Sequence, residues 1–362
     1  GQAFNSWDLV KQTMSESDNH HAEITDPTKV IGHRAFFEAL VSSIASGRMH
    51  HAWLLTGPSG IGKATVARLA AAWLLSEGFD TKNLFDLEPV GFSVSRDDPG
   101  AKLVFNGAHP DYLAIAPVLD DNKSGQIKID QIRAMVPFMA HKPARSRFRV
   151  TIIDSMEEVN RNGANAMLKL LEEPSENSFI LLVSSRPGRL PPTIRSRCRV
   201  VRLSPLDILS CRGVLTRKWP DADLKQVDLL AQLSVGAPGR AISLAESGAA
   251  DCYQVACSLL AEPKLNVRAM AALTSKWGRG AVAGRKAREG AVFCLDRLLR
   301  LAALSASGRN ALTPCDFEIP VIRVLCGRHS SNQLAALHGE FLQDSSRAEG
   351  LYLDFSQFLL QQ

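Results

Sequence analysis

Short apolar runs alternate with stretches of helical spacing along the first half of the chain. Between Lys29 and about Leu203, β-rich runs occur at His51–Thr56, Tyr112–Ala116, Phe148–Asp154, Phe179–Ser185 and Arg199–Leu203. The segments Thr65–Ser76, Ile129–Met139 and Asn162–Glu173 instead place apolar residues three and four apart, and Pro174 stops the last of them. This alternation predicts an α/β domain with a parallel sheet and flanking helices. Gly78–Gly107 interrupts the rhythm, is rich in Asp, Gly and Asn, and reads as a long surface insertion.

The strand signal ends after Ser204-Pro205. Leu206–Glu246 reads as a small set of helices broken by Gly236-Ala237-Pro238-Gly239. Everything beyond Asp251 is helical in pattern. Ala291–Leu304 is rich in Leu, and Leu351, Phe355, Phe358 and Leu359 follow an i, i+4, i+7, i+8 stripe. The expected organisation is a polar, flexible segment over 1–26, an α/β domain over 27–203, a small helical domain over 204–250 and a second helical domain over 251–362.

Composition narrows the class. With 362 residues, 45% hydrophobic and 22% charged, the chain has ample material for packed cores, which excludes disordered and fibrous classes. The 42 Lys+Arg against 37 Asp+Glu leave a mild +5, which permits a nucleic-acid face without announcing one. No apolar run is long enough to span a membrane, and the N-terminal residues lack the apolar centre of a secretory signal. Seven scattered cysteines (Cys198, Cys211, Cys252, Cys257, Cys294, Cys315 and Cys326) never fall in a CxxC spacing. They argue for neutral thiols in a reducing cytoplasm, against a disulfide framework and against zinc.

Candidate chemistry begins at Gly57-Pro58-Ser59-Gly60-Ile61-Gly62-Lys63, between a strand ending at Thr56 and a helix beginning near Lys63. That is the setting of a phosphate-binding loop. Glycines Gly57, Gly60 and Gly62 let backbone N–H groups turn onto phosphate oxygens, the helix N-terminus adds its dipole, and Lys63 reaches the terminal phosphates. A working loop continues with Ser or Thr, whose hydroxyl ligates Mg²⁺. Here the position is Ala64, and Thr65, one place later, points about 100° further round the helix. The strand Phe148–Asp154 ends in an acid, Asp154, placed to hold a metal through water. The residue after it, where a Glu would polarise the attacking water, is Ser155. Glu157 and Glu158 would need a slip of register to serve. Both departures strike groups that hydrolysis needs.

Asn165-Ala166-Met167-Leu168-Lys169-Leu170-Leu171-Glu172-Glu173-Pro174, followed by Pro192-Thr193-Ile194-Arg195-Ser196-Arg197-Cys198, resembles the bacterial clamp-loader AAA+ proteins of DNA polymerase III. His109-Pro110-Asp111 and Ile129-Asp130-Gln131-Ile132-Arg133 point the same way. The resemblance rests on motifs over 27–250, and on length and helical character alone over 251–362. It implies an AAA+ domain, a helical lid and a helical collar. It also implies that Arg197, in the Ser-Arg-Cys triplet, acts in trans as an arginine finger on ATP held by a neighbouring subunit. Arg240 matches the sensor 2 position, Ser184 and Ser185 fall at sensor 1, and Val30-Ile31-Gly32-His33 resembles the adenine-side motif with His in place of Gln.

The implied role is a largely non-hydrolysing stator, a component of a polymerase holoenzyme that is itself neither polymerase nor active ATPase. Its implied partners are gamma/tau and delta clamp-loader subunits, the sliding clamp, and primed DNA contacted without sequence preference. Two other readings stand beside it: a gamma/tau-like hydrolysing ATPase, and a nucleotide-independent scaffold of the complex. In the stator reading Gly57, Gly60, Gly62, Lys63, Thr65, Asp154 and Arg240 form a degenerate nucleotide site, where ATP or ADP can sit but is not required. The four-cysteine zinc module often found in such subunits has no counterpart, since no cysteine precedes Cys198. The basic stretch His141–Arg149 reads first as a solvated face, and second as a non-specific DNA contact.

Overall fold

The computed structural model describes residues 29–79, 91–120, 123–264, 266–277, 281–309 and 312–351. The 1–26 segment and the stripe residues Phe355, Phe358 and Leu359 lie outside the described residues. Two compact units result: residues 29–220 with Gly236–Gly239, and Asp221–Val235 with residues 240–351.

The first unit runs β1 (Lys29–Ile31), α1 (Arg34–Ala45), β2 (Ala52–Thr56), α2 (Lys63–Leu74), β3 (Gly91–Ser93), α3 (Pro99–Phe105), β4 (Tyr112–Ile115), β5 (Val118–Asp120), β6 (Lys123–Gln126), α4 (Ile129–Ala140), β7 (Arg149–Ile153), α5 (Arg161–Glu172), β8 (Ser178–Ser184), α6 (Pro192–Arg195), β9 (Arg199–Arg202) and α7 (Ile208–Lys218). Five strands form a parallel sheet in the order β4-β7-β8-β2-β9. A parallel sheet is covered on both faces, so its strands read as continuous apolar runs.

The strict alternation of side chains then sorts each run between two cores. Trp53, Leu55, Val150, Ile152, Phe179 and Leu181 pack with Phe36, Leu40, Val66 and Leu69 of α1 and α2. Ala52, Leu54, Ile153, Ile180 and Leu182 pack on the opposite face with Ile132, Met135, Met167 and Leu171 of α4 and α5. Register aligns the carboxyl ends: Thr56 lies opposite Ser184, and Ile153 opposite Leu182. The residues that follow, Gly57, Ser185 and Asp154, therefore emerge along one edge of the sheet, on either side of which β2 has neighbours joined by crossovers. Ligand sites of open α/β sheets form at such an edge.

The expected surface insertion over Gly78–Gly107 needs correction. Its described parts include β3, paired antiparallel with β1, and α3. Phe92 stacks on Phe37 with ring centroids 4.0 Å apart, and Ala101 and Val104 belong to the core beneath α1 and α2. The polar composition masked a helix with a clear start signal: Asp98 caps it by accepting the Ala101 N–H at 2.8 Å, and Pro99 opens its first turn.

The second unit is helical: α8 (Leu224–Leu233), most of α9 (Pro238–Glu246), α10 (Ala249–Leu260), α11 (Val267–Trp277), α12 (Ala281–Ala306), α13 (Glu318–Arg328) and α14 (Ser331–Leu351). Within it Arg297 and Glu318, almost wholly buried, form an ion pair at 2.8 Å. Tyr253 donates to the same carboxylate at 2.7 Å, the Cys315 N–H donates at 2.6 Å, and Arg297 also donates to the Thr313 carbonyl at 2.9 Å. Every member of this cluster has partners, as a buried charge requires.

Candidate phosphate site and arginine finger

Gly57 leaves β2 at a φ of 149°, and a side chain there would place its Cβ 2.4 Å from the Leu203 carbonyl oxygen. Only glycine lets the chain pass between β2 and the end of β9 at this point. Gly62 caps α2 at a φ of 93°, with open space where a Cβ would stand. The loop's carbonyls are taken up inside the protein. Lys63 Nζ donates to the Gly57 and Pro58 oxygens at 2.9 and 2.7 Å, the Gly239 N–H donates to the Gly60 oxygen at 2.8 Å, and His33 Nε2 donates to the Ile61 oxygen at 2.9 Å. Burial holds the His33 imidazole below its ordinary pKa, which suits a neutral donor. In a trans peptide the N–H points away from the C=O. The N–H groups of Ser59, Ile61 and Gly62 are thus turned away from the partners that hold the preceding carbonyls.

Lys63 is buried and donates a third bond, to Ser185 Oγ at 2.8 Å. Ser185 in turn donates its backbone N–H to Glu157 Oε1 at 2.9 Å. Glu157 gets there because Ser155 adopts a left-handed conformation, φ 62° and ψ 60°, and a single 3₁₀ turn, Met156–Glu158, follows. The second oxygen, Glu157 Oε2, is buried without a hydrogen-bond partner among the described residues. Burial pushes the Asp154 carboxyl above its ordinary pKa; the Lys63 charge opposes this and the Glu157 charge adds to it. The structure therefore brings together Gly57, Gly60, Gly62, Lys63, Asp154 and Ser185. It adds Glu157, His33 and Gly239, which sequence reasoning had not placed against the loop. Glu157 was visible two positions beyond Ser155, but the reversal at Ser155 has no sequence signal.

The residues fit phosphate better than a metal. Ala64 offers no side-chain oxygen, and Thr65 is exposed on the following face of α2. Among the described residues, no three His, Cys, Asp or Glu side chains converge to hold a metal ion. Arg240 lies in the second unit, its guanidinium 4.2 Å over the Phe293 ring; burial and the nearby Arg300 lower its pKa.

Arg197 follows α6, and its contacts are local. Nη1 donates to the Thr193 carbonyl at 3.0 Å, and Nη2 lies 2.7 Å from Glu172 Oε1 at the end of α5. The side chain keeps 35% of its surface exposed. Its neighbour Arg199 stacks 4.3 Å over Trp53, so the flanking charges are not all a solvated face. Cys198 is buried, which pushes its thiol up to about 12.

The basic stretch divides. Arg149 is buried against Asp111 at 3.0 Å and donates to the Phe138 and Lys142 carbonyls, which fits neither a solvated face nor DNA. Arg145 pairs with Glu77, and Arg147 lies over Phe148 at 5.2 Å. Asp111, the acid of His109-Pro110-Asp111, also accepts the Ala144, Arg145 and Ser146 N–H groups at 2.6, 2.8 and 3.0 Å. Burial alone would raise its pKa, but these donors and Arg149 hold it below the ordinary range. The motif is a brace beneath the basic loop.

A parallel sheet with a glycine loop after β2, an acid after β7, with β8 between the two strands, and helices on both faces is the arrangement of a P-loop α/β protein. The sequence matches the family model described as "DNA polymerase III, delta subunit" over residues 32–207. It is 35% identical to DNA polymerase III subunit delta' of Pseudomonas aeruginosa over 203 residues, 56% of this chain and 58% of that one. Against subunit delta' of Escherichia coli it is 30% identical over 230 residues, 63% of this chain and 64% of the other. Subunit tau of Escherichia coli is 30% identical over 225 residues, 61% of this chain and 32% of tau. A solved gamma subunit-related protein of Thermotoga maritima aligns over 83% of this chain and 99% of that one, at 19% identity and a TM-score of 0.34. The chain is thus similar to DNA polymerase III clamp-loader subunits, of the delta' and the tau kinds, over roughly half to three-fifths of its length. It spans about three-fifths of the length of the delta' relatives it matches.

Proposed function

We propose that this chain is a delta-prime-type stator of a DNA polymerase III clamp loader, working in the cytoplasm with gamma/tau and delta subunits. It gives Arg197 to ATP on a neighbouring subunit and helps place the sliding clamp on primed DNA, which it meets without sequence preference. Residues 204–250 act as the lid and 251–362 as the collar. The observation that carries the reading is Arg197 itself. It is a guanidinium in the Ser-Arg-Cys position, held through its terminal nitrogens by Thr193 and Glu172 and partly exposed, on a chain whose own loop lacks the metal-binding hydroxyl at Ala64. A planar, permanently charged fork suits γ-phosphate charge better than lysine does. In this chain's own loop, Lys63 and the backbone N–H groups of the glycine loop Gly57–Gly62 would hold the phosphates of ATP or ADP, which the stator role does not require; no zinc is involved.

The test is a reconstituted loader with Arg197→Ala. DNA-stimulated ATP turnover falls sharply while the complex still assembles, and unchanged turnover overturns the finger and favours a nucleotide-independent scaffold. A gamma/tau-like hydrolysing role has one observation in its favour, the Glu157 carboxylate brought beside Lys63 and Asp154. Steady-state turnover by the isolated chain that disappears in Lys63→Ala would establish it.

A further inference from the structure

We infer that Glu172 is the positioning residue for Arg197. The inference rests on the finger reading above and names what aims it. Arg197 Nη2 lies 2.7 Å from Glu172 Oε1, while Nη1 donates to the Thr193 carbonyl at 3.0 Å. These two acceptors stand on different helices, α5 and α6, so the guanidinium is fixed at two points. Five N–H donors are more than this pair can take. Part of the fork remains for an incoming anion, as the 35% exposure of the side chain allows.

The end of α5 is itself firmly set. Leu170 and Leu171 are buried, Glu173 donates its N–H to the Lys169 carbonyl at 2.9 Å, and Pro174 stops the helix. His51, just before β2, bonds the Leu171 carbonyl through Nε2 at 2.9 Å, satisfying an acceptor that the last turn would leave open. Glu172 thus extends from a rigid terminus anchored to the strand that carries the phosphate loop. A cation at a helix C-terminus is also favoured by the helix dipole. A long arginine pays rotamer entropy each time it meets a phosphate; held in one orientation beforehand, it pays less at the moment of reaction.

The experiment uses the reconstituted loader, with gamma/tau and delta subunits, clamp and primed DNA. Turnover is measured for wild type, Glu172→Ala, Glu172→Gln, Arg197→Ala and the double variant Glu172→Ala/Arg197→Ala. Glu172→Ala lowers kcat roughly twofold to fivefold, the effect of a half-exposed ion pair, with KM unchanged. Glu172→Gln, which keeps an acceptor but loses the charge, falls between it and wild type. In the Arg197→Ala background the Glu172 effect vanishes, because it acts through the arginine. Full activity of Glu172→Ala beside a crippled Arg197→Ala overturns the positioning role and leaves the finger standing. Additive losses in the double variant also overturn it, since Glu172 would then act elsewhere. Turnover unchanged in Arg197→Ala overturns the finger, and the positioning role falls with it.

Discussion

Replacing Asp111 with Asn tests whether His109-Pro110-Asp111 is a structural brace. The carboxylate is fully buried and accepts three backbone N–H groups and the Arg149 guanidinium. Asn keeps the shape, removes the charge and turns an NH₂ donor toward other donors. Arg149, itself 9% exposed, loses its counter-ion, and its Nε already lacks an acceptor among the described residues. Breaking one side of a buried, hydrogen-bonded charge pair costs about 3–5 kcal/mol. The assay is urea unfolding of the full chain, with Asp97→Asn as control; Asp97 is 98% exposed and its 3.4 Å pair with Lys102 should contribute under about 1 kcal/mol. The pH dependence has a definite sign. The Asp111 pKa is depressed in the folded chain and ordinary in the unfolded one, so the unfolded state binds the proton first. Its contribution is whole above about pH 4 and fades as pH falls through the folded-state value. The gap between wild type and Asp111→Asn must therefore narrow on acidification. A loss no larger than that of Asp97→Asn, or a gap that widens in acid, would refute the brace.

Three further outcomes follow from the packing. Glu318→Leu costs about 3–5 kcal/mol in thermal unfolding of the helical unit, because Arg297 is left buried and unpaired. Arg297→Met/Glu318→Leu gives little relief, since Tyr253, the Cys315 N–H and the Thr313 carbonyl lose their partners; a double variant as stable as wild type contradicts this. In the native chain at pH 8, a thiol reagent labels the partly exposed Cys252 and Cys326 first. Cys198, Cys257 and Cys315, whose thiols burial pushes up to about 12, react only on unfolding, and mass spectrometry of labelled peptides would show any early reaction. Gly57→Ala costs roughly 2–4 kcal/mol, from the strained φ and the clash with Leu203, and a neutral result in urea would deny the close passage between β2 and β9.

The sheet was legible because both of its faces are covered. Ala52–Thr56, Arg149–Ile153 and Ser178–Ser184 are buried at every position, so their apolar runs stood out against the helical spacing around them. The glycine loop was legible for a different reason: tight turns restrict residue type more than packing does. What escaped lies where polar composition and burial disagree. Asp98-Pro99 opens a helix whose Gly100, Ala101 and Val104 are buried, although the surrounding stretch is polar. Arg149 looked like one charge of a basic run, and it is buried because Asp111, distant in sequence, lies where its guanidinium arrives. Such pairings are set by topology, which local pattern does not encode.

The two departures at the phosphate site differ in how far the fold can answer them. A hydroxyl after Lys63 must come from one helical position, because the first turn of α2 fixes where each side chain points. Ala64 vacates that position, and Thr65, exposed on the next face, cannot swing back without unwinding the turn that Gly62 caps. The carboxylate after Asp154 is not so constrained, since it precedes an irregular turn. Ser155 takes up a left-handed conformation, the chain reverses, and Glu157 reaches the Ser185 N–H beside Lys63. There its negative charge offsets part of the lysine's and disfavours ionisation of Asp154. The loop thus has a carboxylate near Lys63, while no hydroxyl takes the place that Ala64 leaves. Of the two departures, Ala64 is the one for which the fold supplies no substitute side chain.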